Sequence, residues 1–327
     1  MPPQAQRNPT RQAQDDPLSG LEKTNGVGRK TPYDSHQKTL DKKSRRLQRR
    51  RDDQAEKTVE DIDSLIYHGD YVSAAGLAQR TLKKWGSKAE NIVFKNRIRR
   101  YLGVAGVRAY QEGGGRKYLE IAEDAYKESV EDYVEEGLGG KSDVARALNG
   151  LAVVEVERRN LGRAWEYLSG ECTQEFIPQD KRQETRVVEV KGVNAIDLAP
   201  ENSWIQTTHG YLMHHFKGRR NLAANAYEKA CSGTAEKDGN YLAFNNLAVL
   251  RAETLMDEVS AGNADKAEKL IKNLGGILGK SMQLADKYAS KKEKQLIQSN
   301  SEYLEEKRLQ ALEYIYGPEA VRAAVNG

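Results

Sequence analysis

Seven of the ten residues from Lys42 to Arg51 are cationic: Lys42, Lys43, Arg45, Arg46, Arg49, Arg50 and Arg51. Charge at that density binds phosphate backbones without sequence preference and with steep salt dependence, or serves as a nuclear address. No aromatic residue lies within the run to stack on bases, so it does not point to base reading. The alternative is a solubilising flank that pairs with Asp52, Asp53 and Glu56. Other candidates for chemistry are poorer. Leu274-Gly-Gly-Ile-Leu-Gly-Lys-Ser281 resembles a phosphate-binding loop, but the spacing from Gly275 is one residue short and no strand precedes it, so a helix-to-helix turn is expected. His209, His214 and His215 share one helical segment, yet His209 and His214 are five apart rather than four and no HExxH surrounds them. Packing is the expected role. Cys172 and Cys231 read as two unpaired thiols of a reducing compartment, and no Ser, Cys or Lys has the surroundings of a nucleophile. No catalysis, metal or cofactor is expected.

The elements that carry these residues are helical. The 327 residues are 31% charged and 38% hydrophobic, with 16 Tyr and only 4 Phe, a composition suited to elements that each keep one face in water. No apolar run reaches the length of a membrane helix, and the opening MPPQAQRNPTRQAQDD lacks the apolar core of a signal sequence. A cytoplasmic protein is expected, with a nuclear one as the alternative reading of the basic run. The net charge of +4 conceals a split: Met1 to Arg51 is strongly basic, and from residue 52 onward acids outnumber bases by four. Five of the eight prolines fall in the first 32 residues among polar neighbours, so residues 1–50 read as a disordered, fraying basic tail.

From about residue 51 the pattern is one of helical hairpins. Gly69 stands five residues before Ala74, Gly218 five before Ala223 and Gly262 five before Ala267; Arg159 holds the same place before Ala164. Glycine adopts the left-handed conformation that ends a helix, and alanine on the next helix lets two backbones approach closely. Gly113-Gly114-Gly115 punctuates a further pair. Residues 51–280 therefore read as a stack of hairpins, with residues 281–327 as its C-terminal cap and Leu284 to Tyr316 as one long polar helix ended by Gly317-Pro318. Between Gly170 and Glu201 the pattern blurs. RVVEV is β-branched, but a lone strand in a helical stack has no ladder partner, and a helix is favoured.

These hairpins resemble tetratricopeptide repeats, whose 34-residue unit carries paired small residues on its first helix and an alanine followed four residues on by a large residue on its second. Ala122 and Tyr126, and Ala223 and Tyr227, match the second half; Leu102-Gly103, Leu151-Ala152 and Leu247-Ala248 match the first. The matching alanines are 48, 42, 59 and 44 residues apart rather than 34, so the array is divergent, with lengthened helices and one long insertion. The resemblance covers roughly Val59 to Leu274. It implies an all-α, right-handed solenoid of antiparallel helix pairs with a concave groove lined by the first helix of each pair.

The same resemblance places Arg146, Asn149, Thr208, His215, Asn245 and Asn246 on that groove. Asn149 and Asn245 each stand three residues before the small residue of their hairpin. They either hydrogen-bond an extended partner backbone or bond a neighbouring helix. The expected function is a non-enzymatic scaffold that holds a peptide or helix of a protein partner, assisted by the basic tail. The second reading is an RNA- or nucleoprotein-associated component in which the tail carries the affinity.

Overall fold

The computed structural model describes residues 53–85, 92–136, 140–170, 193–216, 218–319 and 321–322. The proline-rich opening, the basic run at 42–51, residues 137–139, RVVEV at 186–190 and Cys172 lie outside them. The chain divides after Asp52, and everything from Asp53 onward forms one unit.

Among the described residues there are thirteen helices and no strand. They are α1 (residues 53–67), α2 (Tyr71–Trp85), α3 (Ile92–Gln111), α4 (Lys117–Glu136), α5 (Lys141–Glu157), α6 (Leu161–Ser169), α7 (Ala195–Leu198), α8 (Ser203–His215), α9 (Arg220–Ser232), α10 (Ala235–Asp238), α11 (Tyr241–Ser260), α12 (Ala264–Tyr288) and α13 (Lys291–Tyr316). Each long helix packs mainly on its neighbours in sequence and on the helix after next. The turns explain why. Gly69, Gly218 and Gly262 have φ of 79°, 78° and 74°, and Arg159, in the equivalent place, is the one described non-glycine residue with positive φ, at 62°. Five residues beyond each of these four turns, Ala74, Ala223, Ala267 and Ala164 are wholly buried. One turn geometry thus recurs with one small contact behind it, and arginine is forced into a backbone conformation that costs about 1 kcal/mol or more.

Between the helices of a pair, glycine makes room for tyrosine. A Cβ at Gly103 of α3 would lie 2.2 Å from the Tyr126 ring of α4, and one at Gly106 would lie 2.6 Å from the Tyr118 carbonyl oxygen. Farther back along α3, the buried Arg99 bonds Glu128 at 2.8 Å and also Asp132, late in α4. Early residues of α3 therefore meet late residues of α4. The same holds where the Ser281 hydroxyl of α12 donates to the Tyr241 carbonyl at the start of α11, 3.1 Å away. Tyr126 also fills the space beside Gly150 of α5, and Tyr227 of α9 does the same at Gly210 of α8.

The core is divided into four apolar clusters that follow one another along the chain: one under α1 to α4, one spanning α3 to α9 with part of α11, and two joining α11, α12 and α13. The first and last of these regions meet. Arg108 of α3 bonds Glu293 of α13 at 2.6 Å, and Lys292 bonds Glu112 at 3.3 Å. The buried Tyr71 lies beside Ser290, and Tyr241 beside Glu293.

Two elements differ from the sequence expectation. Residues 274–281 do not turn; they lie inside α12, because Ile271, Leu274, Leu278 and Ser281 keep an unbroken buried phase while Gly275, Gly276 and Gly279 face open space. Nor is Leu284 to Tyr316 one helix. It breaks at Ala289, and Ser290 starts α13 with a capping box in which Ser290 and Glu293 satisfy each other's backbone amides. The residues before Pro200 form only the single turn α7, capped by the Asn194 side chain.

Candidate functional site

Four helices with many buried residues each carry a line of half-exposed side chains. On α3 the line is Arg97, Arg100, Val104 and Arg108; on α5 it is Arg146, Asn149, Val153 and Val156. On α8 it is Trp204, Thr208, Tyr211 and the exposed His215; on α11 it is Leu242, Asn246, Val249 and Glu253. Steps of three and four residues keep each line on a single helical face. Contacts place the lines side by side. Gln111 at the end of α3 donates to Glu157 at the end of α5, at 2.6 Å. Glu157 in turn acts electrostatically on Tyr211 of α8, whose hydroxyl is pushed up first by burial and then by that carboxylate. His214 of α8 lies 2.9 Å from the Glu253 carboxylate of α11.

Beneath these lines lie the two tyrosines that separate successive helices. Tyr126 sits between Gly103 and Gly150; Tyr227 sits beside Gly210, with the Asn246 side chain near its hydroxyl. Burial raises the pKa of both phenols, so they are neutral hydrogen-bonding groups and not bases.

The residues expected on the groove divide. Arg146 is half-buried and has no carboxylate partner among the described residues. Asn149 has its side-chain oxygen enclosed without a hydrogen-bond partner. Thr208 donates to the Trp204 carbonyl at 3.1 Å, a bond along its own helix that leaves the side chain on the line. His215 is exposed, with Nδ1 2.9 Å from the Tyr211 carbonyl oxygen and its ring 4.1 Å from that of Tyr211. Asn246 lies on the α11 line, but Asn245 does not. Asn245 is 6% exposed, donates to Asn246 at 3.3 Å and accepts from Asn300 of α13 at 3.4 Å. For Asn245, the bond to a neighbouring helix is the one formed. Arg97 and Arg100 were not legible as members of the face, although they precede Leu102-Gly103 by the same intervals at which Arg146 and Asn149 precede Leu151-Ala152.

No three His, Cys, Asp or Glu side chains among the described residues come together to hold a metal. Burial, reinforced by Lys229, lowers the pKa of His209 and keeps it neutral against Trp165, 5.4 Å away between ring centres. Cys231 is a free thiol whose pKa burial raises to about 12, which suppresses the reactive thiolate. No described helix is long and apolar enough to cross a membrane. No family model matches the chain, and neither the curated proteins nor the solved structures compared with it gave a match.

Proposed function

We propose that this chain is a non-enzymatic interaction scaffold, a divergent tetratricopeptide-like row of antiparallel helix pairs with a right-handed course. The lines on α3, α5, α8 and α11 form its concave groove and hold an extended segment or a helix of a protein partner. The observation that supports this reading is a recurrence: α3, α5, α8 and α11 each carry half-exposed side chains at steps of three and four residues, and the wholly buried Ala74, Ala164, Ala223 and Ala267 stand five residues after four turns of one geometry. The half-exposed Asn149 and Asn246 carry amide groups suited to hydrogen-bonding a partner's backbone.

The basic run supports a second reading, an RNA- or nucleoprotein-associated component, because seven cations in ten residues bind phosphate without any help from the helical unit. Replacing Lys42, Lys43, Arg45, Arg46, Arg49, Arg50 and Arg51 by glutamine in the full chain separates the two. Under the scaffold reading the protein partner is retained by the substituted chain at 150 mM salt. Loss of the partner together with loss of nucleic-acid retention would establish the second reading instead.

A further inference from the structure

Several arginines of the helical unit are paired. Arg99, Arg108, Arg158, Arg220, Arg251 and Arg308 each bond a carboxylate within the described structure. Arg97, Arg100 and Arg146 bond none, although all three are partly withdrawn from water; Arg100 rests over the Tyr101 ring at 5.3 Å. A half-buried guanidinium without a counter-charge gives up hydration and receives little in return. Arg97 and Arg146 also hold the same place in sequence, each five residues before the leucine of its Leu-small pair, on helices that pack together.

Resting on the scaffold reading, we infer that the occupant of the α3–α5 part of the face is an extended acidic segment of a protein partner, with carboxylates about three residues apart. The spacing follows from geometry. Packed helices lie roughly 8–10 Å apart, and an extended chain rises about 3.1–3.4 Å per residue, so carboxylates that reach Arg97 and Arg146 are separated by about three residues. A nucleic acid fits less well. It carries a charge on every unit, whereas the segment carries one in about three, so the acids of α4, packed beside α3, oppose it more strongly than they oppose the segment. The partner's carboxylates are those of side chains, so a free C-terminus is not required.

The test uses the full chain with the seven cations at 42–51 replaced by glutamine, so that the tail does not compete. The probe is a fluorescein-labelled, C-terminally amidated (Glu-Ser-Gly)4 peptide followed by anisotropy. It is expected to bind at least about tenfold more tightly than (Gln-Ser-Gly)4, with affinity falling as salt rises. R97Q/R100Q/R146Q is expected to erase the difference, while K269Q/K287Q on α12 leaves it intact. If the triple variant fails to fold, R97E/R146E, judged by an unchanged urea midpoint, is expected to prefer (Lys-Ser-Gly)4 instead. Equal binding of the Glu and Gln peptides, or insensitivity to the arginines, overturns the inference; so does an oligouridylate that binds more tightly through the same three residues. A photo-cross-linker at Val153 keeps the two claims apart. Labelling of an uncharged peptide there, without preference for the acidic one, removes the acidic specificity and leaves the scaffold reading standing.

Discussion

Gly150→Ala isolates the contact that sets adjacent helix pairs against one another. On an exposed helix the change would add about 1 kcal/mol of stability through helix propensity. Here the new Cβ would fall 2.3 Å from the Tyr126 ring, more than 1 Å inside van der Waals contact, and that ring is backed on its other side by Gly103, whose own Cβ position is 2.2 Å away. The ring is 4% exposed and has nowhere to retreat. A clash this close costs about 2–3 kcal/mol, the upper part of the range for overpacking, so the net effect is a destabilisation of roughly 1–2 kcal/mol once propensity is set against it. Urea unfolding followed by circular dichroism measures it. Two controls sharpen the result. Gly276→Ala in α12, with nothing within 4 Å of the new Cβ, is expected to stabilise by about 0.5–1 kcal/mol. In a Tyr126→Ala background, Gly150→Ala is expected to become stabilising, a coupling of roughly 2–3 kcal/mol. Stabilisation by Gly150→Ala in the wild-type background, or additive behaviour in the cycle, would refute the claim that Tyr126 is wedged between α3 and α5.

Further consequences are open to measurement. Arg159→Gly is expected to raise the urea midpoint by the equivalent of about 1 kcal/mol, because Arg159 has φ of 62° where the equivalent turns have glycine; a loss of stability would mean that its side chain matters more than its backbone. Ser290→Ala removes the capping box and is expected to cost about 1 kcal/mol and to speed hydrogen exchange in the first turn of α13. Burial alone would raise the pKa of Glu123, but hydrogen bonds from Arg158 and Lys127 lower it from 4.5 to about 2. Its contribution is therefore present above about pH 4.5 and is lost as the pH falls toward 2, and Arg158→Met is expected to flatten that acid limb of a stability-against-pH curve.

The turns were the most legible feature, because a glycine or its stand-in followed by alanine at a fixed interval has a backbone cause that no other residue pair supplies as well. Arg159 shows that the register outlasts even the loss of the glycine. The start of α13 was legible but obscured. Few apolar residues flank it, so helical phase runs weakly across the break; the signal was Ser290 with Glu293 three residues later. Gly275, Gly276 and Gly279 misled for the opposite reason, since glycines on a solvent face do not end a helix whose buried residues keep their spacing. Asn245 and Asn246 lie 100° apart on one helix. Which of them meets the open face depends on α13 packing against α11 and bonding Asn245 through Asn300, a tertiary choice that local sequence does not contain.

Site-specific photo-cross-linking tests the use of this face most directly. A benzophenone amino acid is placed at Val153, in the middle of the α5 line, and separately at Lys272, on the exposed outer side of α12, and the full chain is irradiated with its protein partner. A cross-link from position 153 that maps to one continuous partner segment is expected, and none from 272. Equal labelling from both positions, or labelling from 272 alone, would contradict it.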